Sequence, residues 1–268
     1  MAATECSKSM RYYLRLADYR KLYRLAKARL SSENDYRAFQ RFQGELLLRF
    51  LQSRDVEVFD RRVADVGCGY GGYSLALNDA GAQVVGLDLS TGKLPKNVPL
   101  VVADALALPM LSDTFDIALC ASLIEHTDRP RRLLMDLYRI IRPGGIVYLS
   151  FPPFYSPGGG HQFSPFHYLG ARNAARLTRH FGHWRESAWV QENYPINPSS
   201  FGTAYGAWGL YPLTIKKVER MIGDTPFLIR ERSTRLLPLD FSGIPFLREL
   251  LTWHVQYLLE KPKVEQAL

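Results

Sequence analysis

A glycine-rich turn, "DVGCGYGGYS", occupies residues 65–74. Gly67, Gly69 and Gly72 fit the pattern G-x-G-x-x-G, and Gly67, Gly69 and Gly71 fit the looser pattern G-x-G-x-G. Glycines let a turn adopt left-handed backbone angles and let the main chain approach a ligand closely. An apolar strand before such a turn and a helix after it would present unpaired N–H groups to that ligand. The turn therefore predicts a cofactor site.

Two cofactors fit this turn: a nicotinamide dinucleotide, which transfers hydride, and S-adenosylmethionine (SAM), which donates a methyl group. Asp65 precedes the first glycine by two residues. A carboxylate there would repel a pyrophosphate, but it can attract the α-ammonium group of SAM. Asp88 suits the ribose hydroxyls of either cofactor, and Asp104 can accept a hydrogen bond from the adenine amino group. The acids favour SAM, and a nicotinamide oxidoreductase is the enzyme alternative. In a purely structural role, Asp65 and Asp104 would cap turns.

The elements that must position these residues follow from short apolar runs and helical periods. We predict strands at 63–66, 83–90, 99–105, 115–122 and 146–152, with helices at 72–80 and 129–142. Pro143-Gly144-Gly145 should end the second of these helices. A further helix is predicted at 213–224, followed by strands at 226–234 and 251–262. Strands that alternate with helices indicate a doubly wound, parallel sheet.

The N-terminal segment is predicted to be helical, with one helix over 12–30 and another over 36–52. The first carries apolar residues at helical spacing: Tyr12, Leu16, Tyr19, Tyr23, Ala26 and Leu30. Arg11 to Arg29 also contains seven Lys or Arg residues and one Asp. We expect this helix to pack on its own domain. Weak binding to an anionic membrane surface or to an acidic substrate is the alternative.

Composition narrows the protein class. The chain has 268 residues, a formal charge of +8 and 47% hydrophobic residues, so a sizeable core is expected. No apolar run reaches the ~20 residues of a membrane span, and the N-terminus lacks the apolar region of a secretory signal. The three cysteines, Cys6, Cys68 and Cys120, show no C-x-x-C spacing. We therefore expect a cytoplasmic protein with reduced thiols, in which peripheral membrane contact remains open.

The ordered segments "VADVGCGYGG", "VVGLDLS" and residues 101–152 resemble the class I SAM-dependent methyltransferases, in particular the type 11-like group. The resemblance covers 62–152 in detail and 213–262 more weakly. It implies an α/β fold with a doubly wound, seven-stranded Rossmann-like sheet. The sheet would be mostly parallel with an antiparallel last strand, and helices would precede it. The implied SAM contacts are Asp65, Gly67, Gly69 and Gly71 at the methionine part, Asp88 at the ribose, Leu89, Asp104 and Ala105 at the adenine, and Ala121 and Ser122 beside the methionine moiety.

We divide the chain into an N-terminal helical segment (1–55), a SAM-binding core (56–152), an insertion (153–212) and a C-terminal part that closes the sheet (213–268). The insertion is rich in Gly, Pro, His and aromatic residues. A loop-rich stretch of this length is usually functional, which predicts a lid or a wall of the acceptor site.

Three histidines are candidates for the methyl-transfer step: His161, His167 and His126. Histidine is the commonest general base for a hydroxyl acceptor, and His161, after three glycines, is preferred. Alternatively, these histidines only anchor the loop. We expect no metal, because the spacing His-x5-His is not diagnostic and no carboxylate cluster accompanies it.

The predicted function is O-methylation of a hydroxyl on a saccharide, a glycolipid or a natural-product small molecule. A C-methyltransferase of quinone type and a non-catalytic SAM-binding protein are the alternatives. A nucleic-acid substrate is not expected, because "ASLIEH" follows the fourth strand where base-modifying enzymes carry an N-P-P-Y-type motif. The oligomeric state is left open.

Overall fold

The computed structural model describes residues 14–90, 95, 97–181, 187–193 and 209–263. Its centre is a seven-stranded sheet with the strand order β3-β2-β1-β4-β5-β7-β6. β1 to β5 are parallel to one another, and β7 runs antiparallel to both β5 and β6. The predicted fold class is confirmed. The strands are β1 (Arg62–Val66), β2 (Gln83–Asp88), β3 (Leu100–Val102), β4 (Phe115–Ala121), β5 (Ile141–Phe151), β6 (Leu228–Thr234) and β7 (Val255–Glu260).

Helices cover both faces of the sheet. In the described residues they are α1 (Leu16–Ala28), α2 (Glu33–Gln52), α3 (Gly72–Asp79), α4 (Pro130–Ile140), α5 (Ala171–Phe181), α6 (Ala188–Asn193), α7 (Ile215–Gly223) and α8 (Arg248–Leu251). Buried side chains of α4 and α7 form the core on one face, and those of α2 and α3 form it on the other. This two-sided cover explains why central strands such as β4 are continuously apolar rather than alternating.

The glycine turn is held between β1 and α3, and α2 packs directly over it. A Cβ atom added to Gly72 would come within 3 Å of the Arg37 carbonyl and the Arg41 amide in α2. At Gly44 in α2, an added Cβ would come equally close to Ala76. These glycines allow the backbones of α2 and α3 to touch, so the N-terminal helices are part of the support of the turn.

The Pro143-Gly144-Gly145 segment does not separate α4 from the next strand as we predicted. α4 ends at Ile140, and β5 begins at Ile141 and runs through the three residues. The pairing with β4 shifts here, from Phe115↔Ile141 to Ile117↔Ile146. The Gly144 amide donates to the Lys261 carbonyl at 2.7 Å, and the Lys261 amide donates to Gly145 at 3.0 Å. The chain after β7 therefore satisfies the backbone of this bulge, which a local sequence pattern cannot reveal.

The first helix packs on its own domain, but not through the face that we predicted. In α1, Leu16 is 73% exposed and Tyr23 is 72% exposed. The helix is joined to α2 by ion pairs instead: Asp18 with Arg49 at 2.9 Å, and Lys21 with Glu45 at 3.2 Å. Tyr12 lies outside the described residues. Leu16 and Tyr23 therefore face solvent next to the basic residues of this helix, whereas Tyr19, Ala26 and Leu30 are partly buried.

Two further findings concern the chain as a whole. In the part that the structure describes, we find no helix both long and apolar enough to cross a bilayer. Cys68 and Cys120 are buried free thiols, and burial raises the pKa of both. Cys6 lies outside the described residues.

Candidate active site

The glycine turn takes up left-handed backbone angles at the three positions of the looser pattern. The φ angles are 76° at Gly67, 53° at Gly69 and 72° at Gly71. Gly71 is also the residue that precedes α3. Gly72, which only the stricter pattern needs, has no left-handed angle and serves the contact with α2. All three glycines of the G-x-G-x-G pattern therefore adopt the left-handed angles that this turn requires.

Asp65 lies at the end of β1 and is buried, with 2% of its surface exposed. The Ser74 hydroxyl donates a 2.6 Å hydrogen bond to its carboxylate. Burial raises the pKa of Asp65 to about 6, with a smaller contribution from the charge of Asp88. A buried carboxylate with a raised pKa favours a cationic neighbour. This is the chemistry needed to hold an α-ammonium group.

Asp88 connects the second strand to the glycine turn. Its carboxylate accepts a 2.9 Å hydrogen bond from the Gly69 amide and further bonds from the amide and hydroxyl of Ser90. These contacts fix the orientation of the carboxylate. Both bonds from Ser90 go to Oδ1, whereas Oδ2 accepts only the Gly69 bond and retains an acceptor site, so the side chain can still accept a hydrogen bond from a ribose hydroxyl.

A cavity of about 290 Å³ opens beside these residues. Five of the predicted cofactor residues line it: Gly67, Asp88, Leu89, Asp104 and Ala105. The predicted catalytic residue His126 lines the same cavity, together with Tyr211. Asp65, Gly69, Gly71, Ala121 and Ser122 lie outside its described lining. A larger surface groove, about 700 Å³, runs along α5 but contains none of the predicted site residues.

The adenine side of the cavity is open. Leu89 is 73% exposed, so an adenine ring bound here could cover this apolar side chain. One oxygen of Asp104 accepts from the Leu106 amide at 2.8 Å, so the residue does stabilise a turn. The Asp104 side chain is nevertheless exposed at the cavity. Turn capping and adenine binding are therefore compatible here.

Ala121 and Ser122 end β4, and Ser122 has a left-handed φ of 55°. Its hydroxyl lies 3.5 Å from Nε2 of His254. His254 immediately precedes β7, and burial lowers its pKa well below the ordinary value. We did not predict His254 from the sequence. Its position before the strand that pairs antiparallel with β5 is the signal that would have placed it at this end of the sheet.

A short 3₁₀ turn, Ile124–His126, follows β4 and brings two polar side chains to the site. Glu125 is only 1% exposed, and neither of its carboxylate oxygens has a hydrogen-bond partner among the described residues. Nδ1 of His126 lies 2.7 Å from the Gly209 carbonyl, to which it donates. Burial lowers the pKa of His126, while the neighbouring charge of Glu125 acts in the opposite direction.

His161 reaches the same place from the insertion. Its Nε2 lies 3.5 Å from Oε1 of Glu125, and its ring packs edge-on against His126, with the ring centroids 4.9 Å apart. His161 has a φ of 48°, an unusual angle for a residue with a side chain. Such strain persists only where the surroundings fix it, and it is frequent at functional sites.

The glycines before His161 have a different role from the one we expected. An added Cβ at Gly159 would collide with the Pro153 carbonyl, and one at Gly160 would collide with the ring of His167. Both glycines therefore pack against their own loop and do not approach a ligand. By this packing they fix the position of His161.

His167 anchors this loop and does not join the cluster. It is fully buried, and its Nε2–H donates to the Phe154 carbonyl at 2.9 Å. Burial lowers its pKa, so the ring is neutral around pH 7. Of the three predicted catalytic histidines, the structure thus brings His126 and His161 together and assigns His167 a supporting place.

Comparison with known proteins agrees with this geometry. A family described as "Methyltransferase domain" matches residues 64–149. An uncharacterized methyltransferase of Mycobacterium avium (strain 104) is 38% identical over 132 residues, which cover 46% of this chain and 52% of that protein. The chain is therefore matched to only about half the length of this relative.

Solved structures extend the likeness to the whole fold. A protein of Pyrococcus horikoshii OT3 superposes with a TM-score of 0.52 at 18% identity, and covers 91% of this chain and 99% of its own. A SAM-dependent methyltransferase of Mesorhizobium loti gives a TM-score of 0.52 at 20% identity, with 79% and 95% covered. The chain has the fold of the class I SAM-dependent methyltransferases, and residues 64–149 match the methyltransferase domain family. The predicted resemblance is confirmed, and with it SAM as the cofactor that this family uses.

The residues of the glycine turn and the three nearby aspartates fit this cofactor. The left-handed glycines leave room at the turn, Asp65 offers a negative neighbour for the ammonium group, and Asp88 and Asp104 offer acceptors along one cavity. The individual contacts remain predictions. Sequence analysis missed Glu125, although it directly precedes His126, one of the three histidines predicted to be catalytic.

Proposed function

We propose that this chain is a SAM-dependent methyltransferase that methylates an oxygen of a small or glycan-bearing acceptor. One observation carries the proposal: His126 lines the same cavity as Asp88 and Asp104. The residues suited to the cofactor and the polar cluster of Glu125, His126 and His161 therefore meet at one opening. SAM, when bound, supplies a methyl group on a positively charged sulfur.

The protein's own residues must align the acceptor and exclude water, and alignment can account for much of the rate of such a displacement. Asp65 and Asp88 fix the cofactor side. The loop at Gly159–Gly160 holds His161 over the other side, against Glu125 and His126. An acceptor hydroxyl placed between them would meet polar groups at the one point where it must lose a proton.

Exposed aromatic rings support a saccharide or ring-bearing acceptor. Tyr155 is 46% exposed, Tyr168 is 49% exposed and Trp253 is 56% exposed. The Tyr168 hydroxyl donates to the Tyr155 carbonyl at 2.9 Å, and the Ser156 hydroxyl donates to the Trp253 carbonyl at 3.4 Å. The three residues therefore border the loop that carries His161. Flat rings of this kind stack on sugars and on apolar ring systems.

The first test is ligand binding. S-adenosylhomocysteine should raise the melting temperature of the protein in proportion to its affinity, and NAD should not. Labelled SAM can then be incubated with extract fractions, and the labelled product examined by carbon NMR. A methyl carbon bonded to oxygen supports the proposal, whereas one bonded to carbon supports the quinone-type alternative. S-adenosylhomocysteine binding without labelled product from any fraction would favour the non-catalytic reading.

The second test separates the histidines. His161→Ala should lower kcat by about 10²-fold or more, since misplacement of a reacting group by about 1 Å has this effect. Its affinity for S-adenosylhomocysteine should stay close to that of the unmodified protein. His180→Ala, at an exposed position of α5, is the matched control and should leave kcat unchanged. Equal rates in both variants would remove His161 from the acceptor site.

A further inference from the structure

Glu125 is a buried carboxylate without a hydrogen-bond partner among the described residues. Only 1% of the residue is exposed, and neither oxygen accepts a hydrogen bond from the described residues. Burying a charged group without compensation costs several kcal/mol or more, so buried charges are normally paired or coordinate metals. Nε2 of His161 also has no hydrogen-bond partner in the described residues. An unsatisfied pair of this kind calls for an ion or a water molecule between the groups.

The distance between the two groups separates a direct hydrogen bond from two ligands of one metal ion. Nε2 of His161 and Oε1 of Glu125 are 3.5 Å apart. A charge-assisted hydrogen bond would bring them to about 2.7–2.9 Å. Two ligands of one tetrahedral metal ion, with bonds of about 2.1 Å, lie about 3.4 Å apart. The observed separation matches two ligands of a shared ion.

His126 supplies a third ligand position. One ligand atom from each of Glu125, His126 and His161 lies within 4.8 Å of the others. A side-chain shift of about 1 Å would therefore bring all three within bonding distance of one ion. Nδ1 of His126 donates to the Gly209 carbonyl, which places the lone pair of the neutral ring on Nε2. A metal-binding histidine is usually oriented by such a hydrogen bond to a backbone carbonyl.

We propose that Glu125, His126 and His161 form a binding site for a divalent transition-metal ion of the zinc class. Two imidazoles and one carboxylate are the ligands of known catalytic zinc sites, which keep a fourth position open. We expected no metal because no carboxylate accompanies the histidines of the insertion, and the fold supplies that carboxylate from the turn after β4. Since His126 also lines the cofactor cavity, an ion held by these residues would lie beside that cavity.

Such an ion would complete the proposed function, on which this part of the inference rests. An acceptor hydroxyl bound to such an ion would have a lowered pKa, as metal-bound water has, and could give its proton to water near neutral pH. The resulting oxygen carries the electron pair that forms the new bond to the methyl carbon. The electron pair of the broken sulfur–carbon bond stays on sulfur. The protein would then need no side-chain base.

The test uses the full chain with any histidine tag removed, after dialysis against a chelator. Co²⁺ is the probe, because a tetrahedral site gives intense visible absorption, and Zn²⁺ titration by calorimetry gives the stoichiometry. We expect about one equivalent per chain with tetrahedral Co²⁺ bands. Glu125→Gln and His161→Ala should each weaken Zn²⁺ binding by at least about 100-fold, since loss of even an outer-shell partner costs about 10–100-fold. His180→Ala should bind as the unmodified protein does.

Absence of stoichiometric binding in the unmodified protein would overturn the proposal, as would unchanged binding in Glu125→Gln. Binding that His180→Ala abolishes would place the ion on the surface and would also overturn it. If Glu125→Gln does not fold, His161→Ala still decides, because that side chain is 23% exposed and its removal empties no core position. S-adenosylhomocysteine binding is measured on the same samples. Its failure counts against the methyltransferase proposal and leaves the Co²⁺ result intact.

Discussion

The Ser74 hydroxyl donates a 2.6 Å hydrogen bond to the Asp65 carboxylate, and so ties the strand before the glycine turn to the helix after it. Both side chains are buried. Burial raises the pKa of Asp65 to about 6. The free protein therefore carries, above this pH, a buried negative charge that a ligand cation would neutralise.

The first prediction concerns stability and pH. The folded state holds the Asp65 proton more tightly than the unfolded chain does, so stability should fall as pH rises from about 4 to about 6. The full loss is about 3 kcal/mol, at about 1.4 kcal/mol per pKa unit. The Asp65→Asn variant should not show this loss of stability as pH rises. Urea unfolding of both proteins at about pH 4.5 and about pH 7.5 measures the difference, and identical pH dependence of the two would contradict the prediction.

The second prediction concerns cofactor affinity and pH. If the ionised Asp65 holds the α-ammonium group, binding of S-adenosylhomocysteine should tighten as pH rises through about 6, because the empty site must first release a proton. Calorimetry in two buffers of different ionisation enthalpy would detect that proton. In Asp65→Asn, binding should be weaker and its dependence on pH in this range should disappear. If Asp65→Asn releases as many protons on binding as the unmodified protein does, the pH dependence of binding comes from another group.

Asp88 gives the third prediction. Asp88→Ala should weaken S-adenosylhomocysteine binding by about 1.5–3 kcal/mol, the range for hydrogen bonds to a charged group. Asp88→Asn is the matched control, since its amide oxygen can still accept from the Gly69 amide and preserve the turn. We expect a smaller loss in Asp88→Asn than in Asp88→Ala. Unchanged affinity in the alanine variant would remove Asp88 from the ribose site.

The glycines before His161 offer a fourth prediction with an internal control. An added methyl group at Gly160 would meet the buried ring of His167, whereas at Gly158 the nearest atom would be the Trp253 carbonyl at 3.8 Å. Gly160→Ala should lower the free energy of unfolding by about 1–3 kcal/mol, the usual cost of overpacking, and should displace His161. Gly158→Ala should change it by less than about 0.5 kcal/mol. Chemical denaturation compares the two, and equal stability of both variants would show that the loop adapts freely.

The fifth prediction concerns α1. Leu16 and Tyr23 are exposed beside several arginines and lysines, a pattern suited to an anionic membrane surface. The chain should co-sediment with anionic liposomes at low salt and be released at higher salt, because salt screens exposed charges. A double variant, Leu16→Ser and Tyr23→Ser, should bind less at both salt concentrations. Absence of binding to anionic liposomes at low salt would leave α1 as a packing helix alone.

The cofactor side of the site could be predicted from the sequence because its residues lie in short, local patterns. Gly67, Gly69 and Gly71 need left-handed angles in one short turn, and Asp88 ends a strand that its apolar residues reveal. The acceptor side depends on chain segments that meet only in the fold. Glu125 can be recognised as a site residue only by its contact with His161. The two side chains are 3.5 Å apart, but the residues are 36 positions apart in the sequence (161 − 125).

The same limit explains the two errors in the fold. Pro143-Gly144-Gly145 indicates a break when considered alone, but the chain after β7 supplies its backbone partners at Lys261. The apolar residues of α1 indicate a buried face, yet Asp18 and Lys21 determine which side meets α2. In both places a distant partner outweighs the local pattern.

Arg235, which follows β6, donates a hydrogen bond to the Tyr73 hydroxyl in α3, and its guanidinium lies 5.4 Å from the centroid of that ring. During synthesis on the ribosome, the glycine turn and β1 to β5 emerge first. At that stage the contact between Arg235 and Tyr73 of α3 cannot yet form. The edge of β5 that later pairs with β7 is also unpaired. A nascent chain thus displays the complete cofactor motif before the C-terminal support of α3 and β5 exists. That support is complete only once residues 235–260 have left the ribosome.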